Sequence, residues 1–232
     1  MSTKIAIVGS GPTAAYTLKH LISADPGLDI VIFESGRRAG PGMPYSRRFN
    51  TPQVLANIAS VEIPPLTRTL VDWLRSLSDA RLADLGVGRT EVADREFYPR
   101  VVLGDYLAAE FTALCRAAED RGHRVTVLTE HRVTDIVPRR RVFHLYVRAP
   151  QGRKRWRADA VVIATGHRQK ATREAPYLYR SPYPLKKLTL GEERSAAVIG
   201  SSLSAIDAAL TLAARYGRFE QIGSRFTYAT AS

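Results

Sequence analysis

The sequence predicts an α/β fold: a mostly parallel sheet with a β-hairpin layer against it. Three observations predict it. The runs "KIAIVG", "LDIVIFE" and "ADAVVIATG" are short and continuously apolar, as parallel strands buried on both faces are. Helical stretches separate them in the chain. An apolar strand, a Gly/Ser turn and an Ala-rich helix follow one another twice, in "TKIAIVGSGPTAAYTLKHL" and in "SAAVIGSSLSAIDAAL".

Residues 4–34 read as strand, helix, strand, one βαβ unit. Residues 35–99 form a long irregular excursion rich in Gly, Pro and Arg, with one helix predicted over 66–78. A helix follows over 102–121, with Gly122 as its stop. "RVTVLT" is a third strand, and residues 132–157 form the hairpin layer. "ADAVVIATG" is the next buried strand. Residues 167–193 are polar and proline-bearing, a loop or crossover, and the second strand–turn–helix ends the pattern.

Size and composition narrow the function classes. The 232 residues suit one large domain or two small ones. No apolar run approaches the ~18 residues needed to cross a membrane, and no charged leader precedes a hydrophobic stretch, so neither a span nor a signal peptide is expected. The single cysteine, Cys115, has no partner for an internal disulfide, and a reducing cytoplasm is expected. Cys115 stands in the amphipathic stretch "YLAAEFTALCRAAED"; a core position is expected, with a reactive thiol as the alternative. The five histidines are scattered without ligand-like spacing, so no metal site is expected.

The net charge of +12 fits nucleic acid, an anionic membrane or anionic small ligands. The densest basic runs, "PRRR" and "GRKRWR", flank the strand "VFHLYVRA". Arginines at the ends of a hairpin read as a solvated face. Nucleic-acid binding calls for spaced aromatics on one face and a recognisable module, and Trp156 alone supplies neither. The expected partner is a small-molecule substrate, with no nucleic acid and no membrane.

The first turn carries the chemistry. Gly9, Ser10, Gly11, Pro12, Thr13 and Ala14 form the pattern G-x-G-x-x-A. Gly9 permits the tight turn out of the strand. Gly11 lets a pyrophosphate approach the backbone, and Ala14 lets the helix pack close to the strand. The helix N-terminus then presents N–H groups to phosphate. Glu34, followed by Ser35, ends the second strand at the distance where a carboxylate takes a ribose. Together these predict a dinucleotide site.

The order of the later segments resembles that of flavoproteins with two dinucleotide-binding domains, with a Rossmann-like fold. The chain is similar to FAD/NAD(P)-binding proteins related to the flavin-dependent N-hydroxylating and Baeyer–Villiger monooxygenases. Within these it resembles the subgroup that includes a bacterial FAD-dependent urate hydroxylase. "IAIVGSGPTAA" looks like the FAD fingerprint, "GPGMPYS" like a G-x-x-Y-S segment, and "LANIAS" like a segment near the flavin. "DWL" with "FYPRVVLGDYL", then "VVIATGH" and "AAVIGSSLSAIDAAL", follow in the family's order.

The resemblance implies roles. Gly9, Ser10, Gly11 and Ala14 hold the FAD pyrophosphate, with Pro12 and Thr13 beside them, and Glu34 and Ser35 lie at the adenosine ribose. The Val133 backbone meets the adenine; Ala164, Thr165 and Gly166 line the cofactor; Gly42, Tyr45 and Asn57 lie toward the flavin ring. Arg100 either faces the flavin phosphates or stitches the insert together. The second turn, Gly200, Ser201, Ser202, Leu203 and Ser204, takes NADPH or NADH, although serine replaces the middle glycine of the fingerprint. Arg168, Lys170 and Arg173 are candidates for a 2′-phosphate. The implied activity is an FAD-dependent oxidoreductase of monooxygenase type. Its alternative is a non-catalytic dinucleotide-binding module.

A rival for "GSSLSA" is a hydrolase nucleophile elbow. It requires a histidine after the acid in chain order, and His167 is the last histidine, ahead of Asp207. The domains expected are residues 1–170, an FAD-binding domain with an insert at about 35–100, and residues 171–232, a linker and the start of an incomplete NAD(P)-binding domain. Three accounts of the short second part stand open: a piece of a longer enzyme, completion by a second subunit or a homo-oligomer, or "AAVIG" docked as the last strand of the FAD sheet.

Overall fold

The computed structural model describes residues 2–167, 178–191 and 195–230. Its first three elements are β1 (Lys4–Val8), α1 (Pro12–Leu21) and β2 (Asp29–Phe33). The insert carries α2 (Gly42–Tyr45), α3 (Leu70–Arg75) and α4 (Asp79–Leu85). Then come α5 (Arg100–Asp120), β3 (Arg124–Leu128), β4 (Arg132–Arg139), β5 (Val142–Ala149), β6 (Gly152–Ala158) and β7 (Ala160–Ile163). The remainder holds α6 (Leu203–Tyr216), β8 (Gly217–Ile222) and β9 (Arg225–Thr230).

The main sheet is parallel, in the order β3-β2-β1-β7. Side-chain alternation sorts each strand between two cores. Ile5, Ile7, Ile30 and Ile32 face α1 and α5 in the larger core. Ala6, Val8, Val31 and Phe33 face the antiparallel β4-β5-β6 layer, where they meet Leu145, Val147 and Ala158. Trp156 closes that layer edge-on against Phe33, ring centroids 5.5 Å apart. Both faces of β1 and β2 are therefore covered, which is why their sequences are continuously apolar.

Three details differ from the sequence expectations. The predicted helix over 66–78 is only Leu70–Arg75. The fully buried Glu110 of α5 accepts hydrogen bonds from the Thr67 and Arg68 N–H groups, each at 3.0 Å, which holds those residues out of the helix. Thr69 then caps α3, its hydroxyl accepting from Asp72 N–H. β7 is half-exposed rather than buried, because it is the sheet edge and Ile163 has no neighbour there among the described residues. Residues 196–200, the predicted strand "AAVIG", lie exposed and outside any strand. With no adjacent strand among the described residues to pair with, their β-propensity goes unused. The reading in which they close the main sheet is thus not the observed arrangement.

The C-terminal part docks on the rest through a small core of its own, with Val54 from the insert packed against Leu185, Leu188 and Ala208. No helix among the described residues is long and apolar enough to cross a membrane.

Candidate functional site

Because the main sheet is parallel and in register, β1, β2 and β7 end together: Val8 lies beside Phe33 on one side and Ile163 on the other. The chain leaves β1 toward β2 on one side and returns as β7 on the other. This makes a topological switch point, where a crevice opens outside the strand ends. The sequence-predicted cradle stands at that point.

Gly9 turns the chain with φ +103°, a conformation that disfavours any side chain. A Cβ there would be driven into the carbonyl of Ala164, so the end of β7 presses directly on the turn. Gly11 and Gly42 are in tight contact: a Cβ on Gly11 would lie 3.2 Å from Gly42 Cα. The turn opens into α1 with Gly11 at its N-cap, Pro12 inside and no side-chain cap, so the first N–H groups of the helix are left to an acceptor from outside. Ala14 and Ala15 are fully buried where α1 meets the sheet.

Glu34 is held beside this turn from several directions. Its backbone bonds to Leu128 (2.9 Å) and His131 (2.8 Å) continue the β2–β3 ladder. Its carboxylate accepts from Ser10 Oγ at 2.5 Å and from Gly36 N–H at 2.6 Å. A carboxylate offers about four lone-pair positions. Two are used to fix its orientation, and two remain for the hydroxyls of a ribose. Ser10 is buried, and its carbonyl accepts from Gly40 N–H at 3.1 Å. The loop after β2 is thereby tied to the turn.

That loop is anchored from below by a cluster that the sequence reading missed. Asp105, buried on α5, meets Arg38 at 2.8 Å, Arg47 at 2.9 Å and Arg81 at 3.6 Å. Burial alone would raise the Asp105 pKa. The hydrogen bonds and charges of Arg47 and Arg38 outweigh burial and hold it below the usual carboxylate value.

The other predicted residues fall as follows. Ser35 is exposed next to Glu34, and Tyr45 is half-buried, its carbonyl against Gly104. Val133 sits at an irregularity in the β4–β5 register, two residues after His131. Thr165 and Gly166 are exposed beyond β7, and Asn57 is exposed in the insert. Arg100 pairs with Asp207 at 2.8 Å and donates to the Tyr183 hydroxyl at 3.2 Å.

The second turn is open. Gly200 has φ +109° with no described residue near the position of a Cβ, and Ser201, Ser202, Leu203 and Ser204 are all exposed. Ser202 is the N-cap of α6, and its side chain makes no capping bond. Arg168, Lys170 and Arg173 lie outside the described residues. Among the described residues no group of three or more His, Cys, Asp or Glu is arranged to hold a metal.

A parallel sheet, a glycine turn at its switch point and an oriented acid one strand away define a dinucleotide-binding protein. A family model described as FAD-NAD(P)-binding matches residues 6–168, and the chain belongs to that family, whose cofactors are FAD and NAD(P). The chain is 38% identical over 217 residues to the uncharacterized protein YdhS of Escherichia coli strain K12. The match covers 93% of this chain but only 40% of YdhS, so the chain spans well under half of that relative's length. Among solved structures, S-allyl-L-cysteine S-oxygenase from Allium sativum superposes with a TM-score of 0.50 at 18% identity, over 76% of this chain and 40% of that one. This likeness is one of fold.

Proposed function

We propose that the protein is an FAD-dependent oxidoreductase of monooxygenase type that draws its electrons from NADPH or NADH. The observation that carries the FAD site is the cradle itself. A side chain on Gly9 would collide with the end of β7 and one on Gly11 would crowd Gly42, α1 begins uncapped, and Glu34 is oriented by Ser10 and Gly36 with acceptor positions to spare. The residues present fit a dinucleotide.

In this reading the Gly9–Ala14 turn holds the pyrophosphate, Glu34 holds the adenosine ribose, and the backbone at Val133 borders the adenine. Ala164, Thr165 and Gly166 line the strand end, and Gly42, Tyr45 and Asn57 lie on the flavin side. FAD bound there supplies hydride acceptance from the nicotinamide and onward delivery of electrons to substrate or oxygen. The side chains hold and orient; none is assigned a catalytic role. Residues 1–170 form the FAD-binding part, with the insert at about 35–100. Residues 171–232 are the linker and the start of the part that takes NAD(P), at Gly200–Ser204. A cytoplasmic location goes with the lone cysteine.

A second reading has its own observation. The Gly200–Ser204 turn is exposed, and among the described residues no sheet supports residues 195–199 before it. This favours a dinucleotide-binding module whose second site is completed by further chain or by a partner subunit. Titration with FAD, followed by anaerobic addition of NADPH, tests the two. Flavin uptake with bleaching supports the oxidoreductase. Uptake without bleaching supports the module, and no uptake overturns both.

A further inference from the structure

The cofactor site leaves the charge of the molecule unexplained. Residues 132–158 carry nine Lys and Arg against one acid, Asp135, and so hold eight of the twelve net positive charges. Among the described residues, none of the eight arginines in this segment forms an ion pair.

The β4-β5-β6 register shows where they stand. One face of the layer packs on the main sheet through Leu145, Val147 and Ala158. The other face presents Arg132 opposite Arg148 and Arg148 opposite Arg153, a row of three arginines across three strands. The next rows place Arg155 opposite Tyr146 and Arg157 opposite His144. Like charges directly opposite one another on a sheet destabilise it. Charged residues on an edge strand are an ordinary protection against unwanted pairing. That protection does not call for Arg148, which lies on the central strand.

The hairpin tip carries a second local conflict. Arg140 has φ +47°, in the left-handed region where a two-residue turn ordinarily uses Gly or Asn. It stands with Arg139 and Arg141 on a hollow of about 680 Å³ that His144 and Arg157 also line. Two independent departures from local stability, opposed arginines and a strained arginine, both concentrate cations on one surface. Such departures from local consistency concentrate where function requires them.

We propose that the outer face of the β4-β5-β6 layer docks an extended, acidic polypeptide segment. Arg153, Arg155 and Arg157 recur at every second residue of β6, about 7 Å apart. An extended acidic segment repeats its carboxylates at the same spacing. β6 is an edge strand, so such a segment can run beside it with main-chain pairing as well as ion pairs. The only large apolar side chain exposed on the three strands is Tyr146. A single-stranded nucleic acid would want a platform of several aromatics, and a membrane surface would want an apolar face to insert. Neither is present, which favours carboxylates on a protein.

The test uses the purified chain at about 150 mM salt, where nonspecific attraction is screened. Fluorescence anisotropy follows a labelled Asp/Glu-rich peptide, its Asn/Gln counterpart, a single-stranded RNA and phosphatidylserine vesicles. Saturable binding of the acidic peptide alone is expected, weakened about tenfold or more in Arg148→Glu/Arg155→Glu. Arg140→Gly separates docking from folding: it relieves the strained turn, so it is expected to weaken binding while leaving Tm unchanged or higher. No saturable binding, binding indifferent to both variants, or tighter binding to the RNA or vesicles would overturn the proposal.

Discussion

Arg100 Nη1 lies 2.8 Å from Asp207 Oδ2, and this pair joins the first turn of α5 to the second turn of α6. Tyr183 completes it, donating to the same carboxylate oxygen at 2.5 Å and accepting from Arg100. Both charged side chains are nearly enclosed, 14% and 8% exposed. Burial alone would lower the Arg100 pKa, but the Tyr183 hydrogen bond and the Asp207 charge raise it instead. Arg100 N–H also holds the Val54 carbonyl at 2.9 Å, so one residue links the insert to the helix behind the Gly200–Ser204 turn.

Removing one partner of a buried pair leaves an uncompensated charge, at a cost of about 3 kcal/mol or more. Asp207→Asn is expected to speed amide exchange in α6 and around Leu185–Lys187 while α1 stays protected. Equal exchange in Asp207→Asn and wild type would show that the small core around Val54 suffices alone.

Glu34→Ala should weaken FAD binding by about tenfold or more, the loss of charge-assisted hydrogen bonds to a ribose. Ser10→Ala removes one of the two hydrogen bonds that orient Glu34 and should cost less. Isothermal titration with FAD measures both. An order reversed between the two would place the ribose elsewhere.

Glycine inside a helix normally gains about 0.5–1 kcal/mol on replacement by alanine. Gly104, inside α5, should do the opposite. A Cβ there would collide with the Tyr45 carbonyl, and the clash is expected to cost about 1–3 kcal/mol. Denaturant melts of Gly104→Ala measure the sign.

Asp105 gives the pH dependence a definite sign. Its folded pKa lies below the ordinary value of an aspartate, about 3.8. Its contribution is therefore present above that value and lost as pH falls through the folded pKa. Asp105→Asn should be less stable at neutral pH, and its stability should fall less steeply than wild type below about pH 4. Parallel acid limbs in the two proteins would contradict this.

Burial pushes the Cys115 thiol up to about 11, with Glu119 adding to the shift. At neutral pH it is a thiol, not a thiolate. Labelling by a disulfide reagent should be slow in the native protein and complete on unfolding. Rapid native labelling would restore the reactive alternative.

The part of the site legible in the sequence is the part fixed by local chemistry. A strand, two glycines, a small residue and an acid one strand later can hardly be arranged differently. The hairpin layer and α5 were legible for the same reason: their periodicity is strong. Asp105 and Asp207 were not, because their partners come from loops and helices distant in sequence. Asp207 drew notice only as an acid in a hydrolase pattern it does not serve. The "AAVIG" segment failed for a different reason: a strand needs a neighbour as well as a propensity. The β8–β9 hairpin was signalled by Gly223 and Ser224 between two alternating runs, a two-residue turn that went unread.

The central claim is that the Gly9–Glu34 cradle holds FAD that NAD(P)H can reduce. The visible absorption spectrum of the purified protein, taken after incubation with FAD and again after anaerobic addition of NADPH, tests it most directly. A bound flavin spectrum that bleaches is expected, with FAD binding weakened about tenfold or more in Glu34→Ala. A protein that retains no flavin, or retains it equally with Glu34 replaced, would contradict it.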